Sequence, residues 1–150
     1  MLKIGDKAPL FSLQNETNKI IKLEDYLGKN PIVIFFYPKD NSFLCTKQCV
    51  AISQNNNEFY KYKAVLLGIS VDNSYSHAQF KIKNNLKMTL LTDVDNKVRK
   101  LYQVPSLLFD TLPGRATYII DKNGYITGII NENLHINKHV TGSLDYLKLM

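Results

Sequence analysis

Two uninterrupted apolar runs dominate the pattern of hydrophobic and polar positions. Residues 31–38 are apolar on both faces, which is typical of a central strand covered on both sides. Pro38 ends this run, because proline cannot donate a ladder hydrogen bond. Residues 64–71 form a second apolar run. We therefore predict two buried strands, at 31–38 and 64–71.

Helical spacing of apolar positions follows each run. Cys45, Cys49 and Ile52 recur near the helical period, which predicts a helix from the loop at 40–42 to about Tyr62 with these side chains on one inward face. Further helices are predicted over residues 72–85, 93–102 and about 139–150.

Shorter strands are predicted at residues 11–13, 20–23, 89–92, 116–120 and 126–130. The first two would form an N-terminal hairpin, and Asn123-Gly124 is a hairpin signal between the last two. This order predicts an α/β fold: a thioredoxin-like mixed sheet flanked by helices on both faces, with an N-terminal β-hairpin. Because no linker or repeat interrupts the pattern, we expect a single domain over residues 1–150.

Charge and composition narrow the function classes. The chain carries 19 basic and 13 acidic residues, for a net charge of +6, but only Arg99 and Arg115 are arginines. The lysines are dispersed, which indicates a solvated basic surface rather than a nucleic-acid-binding one. No apolar run approaches the ~20 residues of a membrane span. The first residues show no apolar targeting segment, so we expect a cytoplasmic protein.

Two cysteines four positions apart, Cys45 and Cys49, are the candidate chemistry. In a reducing compartment, close cysteines are more often catalytic or redox-active than structural. If Ser42 caps the helix, Cys45 lies in its first turn, where free N–H groups and the helix dipole favour an anion and hence a thiolate. The alternative for either cysteine is a buried apolar residue that fills the core.

The stretch 36–48 resembles the active-site motif of the peroxiredoxins, most closely the bacterioferritin-comigratory-protein and peroxiredoxin Q branch. That pattern is a proline, three residues, threonine or serine, two residues, cysteine, threonine and, two positions later, a glutamate or glutamine. It is met by Pro38, Ser42, Cys45, Thr46 and Gln48. Further similar segments occur in the family's order at 5–11, 67–72, 76–80, 90–93 and 115–124.

The resemblance implies a role for each of these residues. Cys45 would be the peroxidatic cysteine, which becomes a sulfenic acid. Ser42 would hydrogen-bond the peroxide, Pro38 would shield the sulfenate from water, and Arg115 would hold the thiolate and stabilise the leaving oxygen. No metal or organic cofactor is required. The implied protein is a thiol peroxidase for hydrogen peroxide and organic hydroperoxides, recycled by thioredoxin or a similar thiol, as a monomer or weak homodimer. The alternative is a non-enzymatic module that senses peroxide and signals to a protein partner.

Two departures from the family pattern concern the second cysteine and the residue before the first. The resolving cysteine of this branch usually lies five positions after the peroxidatic one, where this chain has Val50. Cys49 lies at four positions, where a Cys45–Cys49 disulfide would need partial unwinding of the helix. Either that disulfide forms, or an external thiol reduces Cys45 and Cys49 is inert. Leu44 replaces a common glycine, which would narrow the pocket mouth.

One other pair has a spacing that can bind a metal. His135 and His139 lie four positions apart, but we expect both at the surface rather than at a metal site.

Overall fold

A seven-stranded mixed sheet forms the centre of the computed structural model, which describes residues 1–107 and 112–150 and only the backbone of Leu112. The strands are β1 (Ser12–Asn15), β2 (Ile20–Lys22), β3 (Ile32–Phe36), β4 (Val65–Ser70), β5 (Thr89–Thr92), β6 (Ser106–Leu107), β7 (Leu112–Pro113), β8 (Ala116–Ile120) and β9 (Ile126–Ile130). The sheet order is β2-β1-β5-β4-β3-β8-β9, with β6 and β7 paired separately. Strands β3, β4 and β5 are parallel, and the other neighbours are antiparallel.

Helices cover both faces of this sheet. They are α1 (Phe43–Gln54), α2 (Asn56–Tyr60), α3 (Ser74–Asn84), α4 (Lys97–Leu101) and α5 (Asn137–Lys148), with 3₁₀ turns at Leu23–Tyr26 and Val94–Asn96. Buried residues of α4 and the first 3₁₀ turn pack into one core, and those of the other four helices pack into a second core. The predicted fold class, including the N-terminal hairpin, is confirmed. Among the described residues, no helix is both long enough and apolar enough to cross a bilayer.

Strand β3 separates the two cores. Ile34 and Phe36 belong to the core under α4, whereas Val33 and Phe35 belong to the core under α1. All five of its residues are buried, which explains why its sequence is apolar without alternation. Because β3 lies between β4 and β8, the loop that follows it starts at the middle of the sheet edge.

The helix predicted to run to Tyr62 is two helices, and the prediction of one continuous helix was wrong. The break lies at Asn55, whose backbone leaves the helical region at φ −98° and ψ 14°. Its side-chain Nδ2 donates to the carbonyl oxygen of Ala51 at 2.8 Å. Asparagine competes with the helix in this way because its short amide reaches nearby backbone groups.

The segment predicted as a helix over 93–102 is also divided. Asp95 and Asn96 have left-handed backbones with φ of 58° and 56°, so regular helix begins only at Lys97. The C-terminal helix begins at Asn137, two residues before the predicted start. The short pair β6 and β7 was not predicted, because two-residue strands give no periodicity.

The turn between β8 and β9 forms the predicted hairpin with a different turn geometry. The Gly124 N–H donates to the Asp121 carbonyl at 3.0 Å, so Lys122 and Asn123 are the central residues. Gly124 follows them with φ +91°. This is the turn-plus-bulge geometry of longer hairpin loops, in which the glycine supplies the left-handed residue.

Gly68 marks the tightest packing of the sheet centre. A Cβ at Gly68 would lie 2.6 Å from the Phe35 ring and 2.8 Å from Leu90 Cδ2, residues directly opposite it on β3 and β5. We expect Gly68→Ala to lower the free energy of unfolding by about 1–3 kcal/mol through overpacking. Chemical denaturation with an unchanged m-value measures this, and an unaltered midpoint would contradict it.

Candidate active site

Cys45 lies in the first turn of α1, as predicted. Ser42 is the N-cap residue, with extended backbone at φ −71° and ψ 155°. Its carbonyl accepts hydrogen bonds from the Thr46 N–H at 2.9 Å and from Thr46 Oγ1 at 2.7 Å. Cys45 is therefore the third helical residue, and its side chain is completely buried. The free N–H groups of this turn favour a negative charge on its sulfur.

Arg115 contacts the Cys45 sulfur directly. Its Nη1 lies 3.2 Å from Cys45 Sγ and donates to Gln48 Oε1 at 2.8 Å. The guanidinium is itself buried, so little solvent screens it from the sulfur. The structure thus brings together two predicted residues that are 70 positions apart in the chain, and this pair can stabilise a thiolate.

Asn133 holds Arg115 in this position. The Asn133 side-chain oxygen accepts from the Arg115 backbone N–H at 2.8 Å, and its carbonyl oxygen accepts from Arg115 Nε at 3.1 Å. The preceding residue, Gly114, passes so close to Pro105 that a Cβ would lie 2.2 Å from the Pro105 carbonyl oxygen. Only glycine fits there. The backbone that leads into Arg115 is therefore held by the hydrogen bond to Asn133 and by the close approach to Pro105.

Asp40 anchors the loop between β3 and α1. Its carboxylate accepts from the Tyr37 hydroxyl at 2.7 Å and the Ser76 hydroxyl at 2.8 Å, and it lies 2.8 Å from His77 Nδ1. The Asp40 N–H donates to the Asp72 carboxylate at 2.7 Å. This network of buried and half-buried residues ties the loop to the start of α3. It thereby fixes the segment that leads into Cys45.

The same cluster contains residue types that can bind a metal ion. Ligand atoms of Asp40, Asp72 and His77 lie within 4.8 Å of one another. However, both Asp40 oxygens already receive hydroxyl donors, from Tyr37 and Ser76. Donors aimed at a carboxylate occupy the positions that a cation would need, so the arrangement fits a hydrogen-bonded brace better than a metal centre.

Pro38 and Ser42 lie at the two ends of this loop, and both are half-buried. Pro38 follows Tyr37, the residue after β3. The Tyr37 carbonyl oxygen accepts a hydrogen bond from Arg99 Nη2 at 3.1 Å. The Ser42 hydroxyl lies 3.5 Å from the Lys39 carbonyl oxygen and makes no side-chain cap. Its predicted contact with peroxide stays a prediction.

Cys49 lies one turn after Cys45 on the same buried face, and both thiols are free. Burial raises the pKa of the Cys49 thiol well above its ordinary value, and the nearby charges of Cys45 and Asp40 raise it further. Arg115 acts in the opposite direction but more weakly. In this conformation Cys49 is therefore an enclosed, protonated thiol.

Comparison with known proteins agrees with this geometry. A sequence model described as the AhpC/TSA family matches residues 4–129. The chain belongs to the AhpC/TSA family. "Peroxiredoxin Q, chloroplastic" of Oryza sativa subsp. japonica is 42% identical over 144 residues, and the protein of the same name from Arabidopsis thaliana is 44% identical. Each match covers 96% of this chain and 66% of the relative, so the chain spans about two thirds of their length.

A solved structure with the same fold covers the whole chain. The crystal structure of Peroxidoxin BcpB from Mycobacterium tuberculosis superposes with a TM-score of 0.91 at 28% identity, over 100% of this chain and 99% of that one. These similarities confirm the peroxiredoxin Q branch that the motif at 36–48 indicated.

For several residues of this AhpC/TSA site, the sequence did not predict the contacts that the structure shows. Gln48 belonged to the motif, but its bond to Arg115 comes from the fold. Within residues 1–107 and 112–150, its buried Nε2 has no hydrogen-bond partner. Asn133 accepts hydrogen bonds from the backbone N–H and the Nε of Arg115, and Arg99 donates to the Gly114 carbonyl. Each of these bonds uses a backbone group, and because every residue has such groups, the sequence carries no signal for the contact.

His139 corrects the prediction that both histidines lie at the surface. His135 is exposed, but His139 is fully buried behind β8. His139 Nε2 lies 2.6 Å from the Glu132 carbonyl, which can only accept, so Nε2 carries the hydrogen. Nδ1 then accepts from the Thr117 hydroxyl at 2.7 Å. Burial, together with the charge of Arg115, lowers the pKa of His139.

This lowered pKa makes folding pH-dependent. The unfolded chain protonates His139 near its ordinary pKa of about 6.5, whereas the folded chain resists the proton. Stability from this group is therefore present above about pH 6.5 and is lost as the pH falls through and below that value. We expect the free energy of unfolding to fall between about pH 7.5 and about pH 5.5.

His139→Asn should flatten this dependence, and His135→Asn is the matched control because that ring is exposed. Urea denaturation across the pH series measures both. An equal slope in wild type and His139→Asn would contradict the assignment.

Proposed function

We propose that this AhpC/TSA-family protein is a thiol peroxidase that reduces hydrogen peroxide and organic hydroperoxides with Cys45 as nucleophile. The observation that supports this most is the 3.2 Å contact between Arg115 Nη1 and the Cys45 sulfur in the first turn of α1. A cation and a helix N-terminus both stabilise the thiolate that peroxide chemistry needs.

The first step oxidises the sulfur. The Cys45 thiolate attacks the terminal oxygen of the hydroperoxide, a sulfur–oxygen bond forms, and the oxygen–oxygen bond breaks. The leaving oxygen departs as an alkoxide or hydroxide that takes up a proton, and Cys45 becomes a sulfenic acid. Arg115, whose Nη1 lies 3.2 Å from the sulfur, would stabilise both the attacking sulfur and the charge on the leaving oxygen. Ser42 and Pro38 would hydrogen-bond the peroxide and shield the sulfenate, respectively.

Burial of Cys45 restricts access to the sulfur. The residue has 0% exposure, so no molecule as large as water touches it in this conformation. A peroxide therefore reaches the sulfur only when residues around it move; in the same turn of α1, Phe43 is exposed and Leu44 is half-buried. This favours hydrogen peroxide and slender hydroperoxides over bulky ones.

The second step regenerates the thiol by one of two routes. Cys49 can attack the Cys45 sulfur, which expels water and forms a disulfide that thioredoxin or a similar dithiol then reduces. Because Cys49 is enclosed and its pKa is raised, this route requires α1 to unwind locally. In the other route, an external thiol attacks the sulfenic acid, expels water and forms a mixed disulfide with Cys45, and a second thiol then releases the Cys45 thiol by disulfide exchange. The physiological reductant, the cytoplasmic compartment and the monomeric or weakly dimeric state stay predictions.

Substitution of each cysteine tests the assignment of the nucleophile. We expect Cys45→Ser to abolish peroxide consumption, because a serine hydroxyl is not ionised at neutral pH. Cys49→Ser is the matched control: it keeps the first oxidation and loses at most the recycling step. A coupled assay with thioredoxin, thioredoxin reductase and NADPH measures turnover. Activity that persists in Cys45→Ser would overturn the proposal, and slow turnover in wild type would favour the sensing module.

Intact-protein mass spectrometry after one equivalent of peroxide separates the two routes of recycling. An internal disulfide removes two hydrogens from the wild-type mass, whereas Cys49→Ser should gain one oxygen at residue 45. A sulfenic acid that persists in wild type, trapped by dimedone, would establish one-cysteine chemistry instead.

A further inference from the structure

Arg99 lies on α4, whose buried residues pack on the face of the sheet opposite to Cys45. Its side chain extends to the sheet edge at which β3 ends and β8 begins, and it is 7% exposed. We propose that Arg99 is a positioning residue that fixes Arg115 against Cys45 by bridging the backbone carbonyls of Tyr37 and Gly114. This inference deepens the proposed peroxidase function and rests on it.

The bridge uses both arms of one guanidinium. Arg99 Nη1 donates to the Gly114 carbonyl at 2.7 Å, and Nη2 donates to the Tyr37 carbonyl at 3.1 Å. A planar fork can satisfy two acceptors at once with fixed geometry, whereas a lysine ammonium is a single rotating point charge.

The two carbonyls belong to the segments that carry the site. Strands β3 and β8 are antiparallel, and Phe36 pairs with Ala116 at the end of their ladder. Tyr37 and Gly114 lie just beyond that last pair, where the regular ladder no longer holds the chains together. Pro38 directly follows Tyr37, and Arg115 directly follows Gly114. Arg99 thus continues the connection between β3 and β8 past the end of the sheet.

Arg99 is itself anchored through its backbone N–H and through one face of its guanidinium. The Asp93 carboxylate accepts from the N–H groups of Val98 at 2.8 Å and Arg99 at 2.9 Å. The guanidinium lies 5.8 Å from the centroid of the Phe36 ring, within the range of a cation–π contact. A buried arginine that is this well anchored is suited to hold other groups in place.

A second effect of Arg99 has to be separated from positioning, because its positive charge also acts on the Cys45 sulfur through space. Arg99→Lys keeps the charge and removes the fork. If positioning is the role, Arg99→Lys should lower the second-order rate constant for hydrogen peroxide by about 100-fold, the typical cost of misplacing a reacting group by about 1 Å. A wild-type rate in Arg99→Lys would show that charge alone suffices and would overturn the proposal.

Two control variants on α4 account for a loss of stability and a loss of surface charge. Val98→Ala removes a buried apolar side chain next to Arg99 and leaves the bridge intact. Lys100→Gln changes an exposed charge on the same helix. With thermal unfolding measured for all variants, Arg99→Lys should lose far more activity than Val98→Ala at comparable stability. An equal loss of activity in both would reduce Arg99 to a purely structural role and overturn the proposal.

A double variant tests whether Arg99 acts through Arg115. If it does, Arg99→Lys combined with Arg115→Gln should react as slowly as Arg115→Gln alone, because no cation remains at residue 115 to be positioned. Multiplicative losses would mean that Arg99 acts independently of Arg115 and would overturn the proposal.

A readout without peroxide separates this inference from the peroxidase function. The chain has only Arg99 and Arg115 as arginines, so selective ¹⁵N-arginine labelling gives two Nε–H signals in an NMR spectrum. In Arg99→Lys the remaining signal is that of Arg115, whose Nε donates to the Asn133 carbonyl. We expect this signal to shift and its hydrogen exchange to accelerate in Arg99→Lys but not in Val98→Ala. An unchanged Arg115 signal would overturn the positioning role, whether or not the wild-type protein reduces peroxide.

Discussion

The contact between the Arg115 guanidinium and the Cys45 sulfur is the interaction on which the site depends. A buried thiol without charged neighbours stays protonated, since burial disfavours the charged form. Here the N-terminus of α1 and a buried guanidinium at 3.2 Å oppose that effect at one sulfur. Both arrive there because β3 and β8 are neighbours in the sheet, so the loop after β3 and the start of β8 meet at one edge.

A buried arginine side chain needs hydrogen-bond acceptors for its N–H groups. Arg115 and Arg99 are both buried, and burial, together with the nearby charge of Arg115, lowers the pKa of Arg99. Within residues 1–107 and 112–150, the backbone carbonyls of Asn133, Gly114 and Tyr37 accept hydrogen bonds from the two guanidinium groups, so backbone dipoles help to stabilise both charges. Among the described residues, the guanidinium of Arg115 donates to Asn133 and Gln48 and contacts the Cys45 sulfur.

The two cysteines differ because their environments differ over a single helical turn. Cys45 contacts Arg115 at the start of the helix, whereas Cys49 lies one turn later, where burial and the charges of Cys45 and Asp40 raise its pKa. Identical thiols on one helix face thus have different chemistry. The second cysteine takes part only if the helix that carries both of them opens, which links recycling to the local stability of α1.

The sequence by itself determined the local features: the fully apolar β3, the helix that begins after Ser42, the hairpins and the motif around Cys45, because each depends on residues close together in the chain. It also indicated Arg115, through a recognisable strand start. Tertiary structure decided the burial of His139, the brace from Asp40 to His77 and the partners Asn133 and Arg99. Those contacts join residues far apart in the chain, and several end on backbone carbonyls that every residue possesses, so only the packing of strands and helices selects which ones meet.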